Sequence, residues 1–81
     1  KFMSDYKSYL QELVQTDKKS LSYNVVKETG PAHDKTFEVE VEVDGIIYAH
    51  GVGKSKKEAE QNAAKNAIMI SAGEVNETDK N

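Results

Sequence analysis

From Thr36 to Val43 apolar and acidic residues alternate without a break: Phe37, Val39, Val41 and Val43 on one side, Glu38, Glu40 and Glu42 on the other. A period of two marks a strand with one buried and one wet face. Asp44 and Gly45 follow at once, a pair that tolerates the positive φ angles of a two-residue type I′ turn. A second strand therefore returns from Ile46 to about Val52. In simple hairpin register Tyr48 comes opposite Val41, and both Tyr48 and His50 face inward, while Gly51 and Gly53 permit a bulge.

On either side of this hairpin the period changes. Tyr6, Tyr9, Leu10, Leu13 and Val14 recur at helical spacing, predicting an amphipathic helix from Asp5 to about Thr16 with Ser4 or Asp5 as its cap. Its polar side carries Lys7, Ser8, Gln11, Glu12 and Gln15. After a polar loop from Asp17 to Ser20, the β-branched pair Val25 and Val26 supports a strand over Leu21 to Glu28. The stretch from Gly30 to Lys35 then interrupts regular structure. Ser55 to Glu58 has the form of a capping box, opening a last helix whose buried stripe is Ala59, Ala63, Ala67, Ile68 and Ile70, with Gly73 suited to its C-terminal cap. The expected fold is α+β, in the order α-β-β-β-α, with two helices packed on one face of a three-stranded antiparallel sheet. Residues 1–4 read as a linker end, 5–72 as the domain and 73–81 as a flexible polar tail.

Composition limits what such a domain can be. With 81 residues, 37% hydrophobic and 31% charged, the chain holds one small domain with a thin core. It has no cysteine, which removes disulfides and thiolate metal sites and fits a reducing, cytoplasmic setting. No apolar run approaches the roughly 18 residues that a membrane span needs. No signal-peptide core follows the first residues, so the sequon-like Asn76, Glu77, Thr78 carries no weight.

The net charge of -3 argues against a polyanionic partner until its distribution is considered. Screening at physiological salt confines each charge to roughly 8 Å. The acids gather at Glu38, Glu40 and Glu42 and in the tail, whereas Lys54, Lys56 and Lys57 crowd the start of the last helix. Lysines there oppose the helix dipole at a cost of about 0.3–1 kcal/mol each. The placement makes sense if a phosphate is held there by backbone amides and ammonium groups together; its plainer alternative is a solvated turn. All 11 basic residues are lysine, which favours point-charge contact with a backbone over the forked recognition of guanine.

Other chemistries fit poorly. Gly51, Val52, Gly53, Lys54 and Ser55 suggest a nucleotide P-loop, but that motif needs a glycine where Tyr48 stands. Nothing in the sequence places His33 and His50 in one cleft for acid-base cleavage. The alternating glutamates suit a solvated sheet face better than a metal site. The polar helix face of Ser8, Gln11, Glu12 and Gln15 offers donors and acceptors that suit a wide, shallow groove, and equally an ordinary helix surface.

The element order, together with the segments Asp5 to Gln15 and Gly51 to Ala64, resembles the double-stranded-RNA-binding domain. With Gly30, Pro31, Ala32 and His33 added, the resemblance is to the copy at the C-terminal end of bacterial ribonuclease III, and it covers roughly residues 5–70. The resemblance implies that Gln11 and Glu12, flanked by Ser8 and Gln15, enter one minor groove. It implies that Pro31, Ala32 and His33 enter the next. Lys54, Lys56 and Lys57, supported by Ser55 and Gln61, then meet the phosphates between. Asp34 departs from this pattern by setting an acid beside the loop. The acidic magnesium-binding signature of the ribonuclease III catalytic domain does not occur in this sequence, so the expectation is a chain that binds and does not cut, with no cofactor of its own. Mg2+, cleavage and homodimerisation are implied for the parent protein, and a monomer for the domain. Two rivals stand beside this reading: a protein-interaction module of the same fold, and a small standalone nuclease.

Overall fold

The computed structural model describes residues 5–71. They form α1 (Tyr6–Thr16), β1 (Leu21–Thr29), β2 (Thr36–Val43), β3 (Ile46–Gly53) and α2 (Lys56–Ser71). The sheet is antiparallel in the order β1-β2-β3, and both helices cover its inner face, as the periodicity predicts. The linker at 1–4, the tail from 73 and the Gly73 cap lie outside the described residues.

Local chemistry accounts for the ends of these elements. Asp5 caps α1, its carboxylate accepting from the Ser8 amide at 3.3 Å. At the other end Lys18 takes a φ of 58°. The Lys19 amide then bonds the Val14 carbonyl at 2.8 Å and the Lys18 amide that of Gln15 at 2.9 Å. This is a Schellman closure with lysine where glycine is usual. The turn between β2 and β3 has Asp44 at φ 52° and Gly45 at φ 80°, as the type I′ expectation requires. Asp44 is also pinned to the loop before β1, accepting from the Ser20 amide at 3.0 Å.

The register of β3 differs from the simple hairpin. Val41 lies opposite Ala49, and Glu40 opposite His50, because Tyr48 is the extra residue of a bulge. One inserted residue turns every later side chain to the other face. His50 is therefore on the wet face, its Nε2 3.8 Å from Glu40 Oε1, and Ala49 is buried instead. Tyr48 still packs against the core margin. The bulge is not at the glycines: Gly51 and Gly53 are buried beneath α2, where they let the helix approach the strand.

That approach shapes the core. Ala59, Ala63, Ala64 and Ala67 are fully buried against β2 and β3, with Leu10 and Val14 from α1 beside them. Among the described residues the largest fully buried side chains are only valines, Val39 and Val41. Ala64 thus belongs to the α2 stripe, whereas Ile70, expected there, is 43% exposed. Tyr9 and Leu13 also remain partly exposed, lining a groove of about 340 Å³ with Val43, Tyr48 and Ile68. Two α2 side chains close the outer edge of β3. Asn66 Nδ2 donates to the His50 carbonyl and Asn62 Nδ2 to that of Val52, both at 2.7 Å. They occupy acceptors that an unpaired edge strand would otherwise offer.

On the outer face the glutamates are less solvated than the alternation implies. Asn24 Nδ2 donates to Glu40 Oε2 and Glu42 Oε1, each at 3.1 Å, and the Glu40 side chain is only 17% exposed. Among the described residues no helix is long and apolar enough to cross a membrane.

Candidate nucleic-acid interface

The start of α2 is built as a capped helix end with cations around it. Ser55 Oγ accepts from the Glu58 amide at 3.0 Å, the first half of the expected box. The second half reaches one residue further back than expected: Glu58 Oε1 accepts from the Lys54 amide, not that of Ser55. The amides of Lys56 and Lys57 occupy the first two helical positions, where no intrahelical acceptor exists. Both side chains are exposed, and among the described residues neither has an ion-pair or hydrogen-bond partner. Glu28 and Asp5 act on these charges only at a distance, and both ammonium groups stand at the positive end of the helix dipole, an arrangement that favours an anion.

Lys54 differs from its neighbours. Its Nζ donates to Asp34 Oδ1 at 3.2 Å and to Thr36 Oγ1 at 3.1 Å. The acid that departs from the family pattern is thus paired, and the pairing ties the loop between β1 and β2 to the start of α2. Both partners are more than 60% exposed, 64% and 62%, so the pair contributes about 0–1 kcal/mol. The same loop is held at its base by Lys35 and Glu28, 3.0 Å apart, and the Lys35 ammonium holds the Glu28 carboxyl below its ordinary value. Inside the loop Gly30 takes φ 93° and the Asp34 amide bonds the Pro31 carbonyl at 2.9 Å. Pro31, Ala32 and His33 are exposed at its tip.

On α1, Ser8, Gln11, Glu12 and Gln15 are all exposed. Ser8, Gln11 and Glu12 border an open depression of about 410 Å³ with Lys7 and Tyr23. Ser8 is partly committed, since its hydroxyl donates to Asp5 Oδ2 at 2.7 Å. That bond, with those from Gln61 and the Ser8 amide, holds the Asp5 carboxyl below its ordinary value. Gln61, expected beside the lysines, faces α1 instead. Its Oε1 accepts from the Tyr6 and Lys7 amides at 2.8 and 3.2 Å, and its Nε2 donates to Asp5 Oδ1 at 3.2 Å. Beside it Lys7 pairs with Glu60.

Sequence reasoning missed Asp5, Lys7, Asp34 and Glu60 as braces, because each acts through a partner far away in the chain. It also missed Tyr23, which faces inward from β1 beneath Lys7, whose Nζ is 5.2 Å from the ring centre. The Tyr23 hydroxyl is buried and has no hydrogen-bond partner among the described residues. Burial first, then the charges of Glu60 and Asp5, push its pKa up from 10.0 to about 12. An acid whose folded pKa is raised favours its neutral form in the fold. That contribution is complete below pH 10 and is lost as pH rises from 10 through about 12. Tyr23→Phe removes an unsatisfied hydroxyl and this titration together. The variant is expected to match or exceed wild-type stability at pH 7 and to resist alkaline unfolding to a higher pH, followed by circular dichroism. A lower melting temperature at pH 7 would show that the hydroxyl has a partner. Among the described residues no group of three or more His, Asp or Glu converges on a metal-sized site.

An exposed polar helix face, a braced loop and a lysine-rich helix start, tied together on an α-β-β-β-α frame, define a small α+β module suited to an extended polyanion. The chain belongs to the double-stranded RNA binding motif family, whose model matches residues 6–69. Among curated relatives it is similar to Ribonuclease 3 of Streptococcus pneumoniae strains Hungary19A-6 and CGSP14. To each it is 55% identical over 67 residues, 82% of this chain and 29% of that protein. The chain thus spans under a third of the length of these relatives. Among solved structures it is similar to Arabidopsis HYL1, with TM-score 0.74 and 37% identity over 83% of this chain and 96% of that one. The second double-stranded-RNA-binding domain of DRB4 matches with TM-score 0.61 and 38% identity, over 83% and 94% of the two chains.

Proposed function

We propose that this chain binds double-stranded RNA without strong sequence preference and is the RNA-gripping part of a longer ribonuclease III. The observation that carries the reading is the pair of exposed lysines, Lys56 and Lys57, without a direct partner among the described residues, at the dipole-positive start of α2 in a chain of this family. A-form RNA has a deep, narrow major groove that side chains cannot read and a wide, shallow minor groove lined with 2′-hydroxyls. In this reading Gln11 and Glu12, with Ser8 and Gln15, lie along one minor groove. The loop tip of Pro31, Ala32 and His33 reaches the next, and Lys56 and Lys57 meet the phosphates between. Ser55 supports them as the cap, and Lys54 supports them by holding the loop. Recognition is by shape and backbone, which matches the absence of arginine.

Cleavage is assigned to a part of the parent protein outside this sequence, together with its Mg2+ and its homodimerisation. This chain itself acts as a cytoplasmic monomer that binds without cutting and needs no cofactor. The test is fluorescence anisotropy with an RNA duplex of roughly 16–20 base pairs, about one domain footprint, beside the same sequence as DNA duplex and as single-stranded RNA. Preference for the RNA duplex is expected, with log affinity falling by roughly 2–4 per log unit of salt. Absence of binding to all three at low salt would reject the reading in favour of a protein-interaction module, and loss of RNA with magnesium present would show cleavage by this chain.

A further inference from the structure

We propose that Gln61 is a positioning residue that sets α1 relative to the start of α2 and so governs discrimination between A-form and B-form duplexes; the inference rests on the double-stranded-RNA reading. A glutamine side chain offers one acceptor oxygen and two N–H donors. The oxygen of Gln61 serves two consecutive amides of α1, Tyr6 at 2.8 Å and Lys7 at 3.2 Å. Those are the first two amides of the helix, which have no intrahelical acceptor. Its nitrogen meets the carboxylate of Asp5, the α1 cap, at 3.2 Å. One side chain of α2 therefore completes the N-terminus of a helix more than 50 residues away in sequence, at separations of 54 to 56.

The position of this clamp gives it consequence. Gln61 follows Lys57 by four residues and so shares its side of α2. Ser8 and Gln11 begin less than two turns beyond the clamped amides. The clamp lies between the helix face assigned to a minor groove and the lysines assigned to phosphates. Its oxygen and one of its donors are already engaged, so its effect on RNA is exerted through the placement of α1. The two duplex forms differ in groove width and depth. A reader of shape separates them only while its contact points hold a set spacing. Loosening that spacing lowers affinity for the matched duplex more than for the mismatched one.

The experiment compares wild type, Gln61→Leu and Gln61→Glu on matching RNA and DNA duplexes across salt. Leucine keeps the bulk and removes all three bonds. Glutamate can keep the two accepted bonds, but it sets a second carboxylate oxygen against Asp5 Oδ1 where the amide had donated, so it disturbs the clamp in part, and its added charge weakens both duplexes alike. The ratio of RNA to DNA affinity is expected to fall about tenfold in Gln61→Leu, the scale of losing a few net hydrogen bonds. The salt dependence should not change, because Lys56 and Lys57 remain. Gln61→Glu, which can keep the two bonds to the α1 amides, should fall between wild type and Gln61→Leu. A wild-type ratio in Gln61→Leu, or a lower ratio in Gln61→Glu than in Gln61→Leu, overturns the proposal. Failure of the wild type to prefer RNA instead rejects the underlying reading. If Gln61→Leu does not fold, hydrogen exchange on the wild type decides: slow exchange of the Tyr6 and Lys7 amides is expected, and fast exchange at both overturns the clamp.

Discussion

Replacing Lys56 and Lys57 together with alanine is expected to weaken binding to an RNA duplex about 100-fold, the loss of two charge-assisted phosphate contacts. The slope of log affinity against log salt should become shallower by about two, one for each contact removed. The fold should not suffer. Both side chains are exposed and among the described residues unpartnered, so no packing or ion pair is lost. Each lysine also opposes the α2 dipole by about 0.3–1 kcal/mol, and alanine is the better helix former. The melting temperature is therefore expected to stay level or rise while affinity collapses. Anisotropy and thermal circular dichroism on the same samples check this. Binding within twofold of wild type would remove Lys56 and Lys57 from the interface. A parallel loss of helix would instead assign them a structural role.

Gly51→Ala is expected to be the most damaging single-methyl change in the domain. A Cβ at this position would lie 2.1 Å from the Ala63 amide nitrogen, 2.4 Å from the Ala59 carbonyl oxygen and 2.7 Å from the Ala63 Cα. All three atoms are backbone of α2, so no side chain can turn aside and the helix must lift from β3. Lifting it opens the contacts of Ala59, Ala63 and Ala67, which are fully buried. Overpacking of a core by a methyl costs about 1–3 kcal/mol where side chains give way, and more where backbone must move. A core of this size supplies only about 3–5 kcal/mol of net stability. Most of the variant should therefore be unfolded at 25 °C, read by loss of helical circular dichroism. Gly45→Asn is the control: nothing lies within 4 Å of its added Cβ, and asparagine tolerates the positive φ of 80° there. Its effect should be small. A well-folded Gly51→Ala would show that α2 sits further from the sheet than described.

What was legible in the sequence was local. Alternation over Thr36 to Val43, helical spacing over Tyr6 to Val14, the Asp44-Gly45 turn and the Ser55 cap each depend on a few neighbouring residues, and each is present in the structure. The charge anomaly of Lys56 and Lys57 was legible for the same reason, since a helix start and its dipole are local properties. The reach of Glu58 was misjudged by one residue, because the choice between two adjacent amides depends on the path of the chain from β3.

The element order, the inward face of β2 and the crowding of lysines at one helix end thus follow from short stretches of sequence alone. The bulge at Tyr48 that turns His50 outward, the hold of Lys54 on Asp34 and the Gln61 clamp on α1 arise only when the elements pack together. Short-range order is written in dihedral preferences and in the period of side chains along one element. The Lys54 and Gln61 contacts join groups 20 to 56 residues apart. Their partners are selected by how closely helix and sheet approach, and that distance is set here by glycine and alanine packed backbone to backbone.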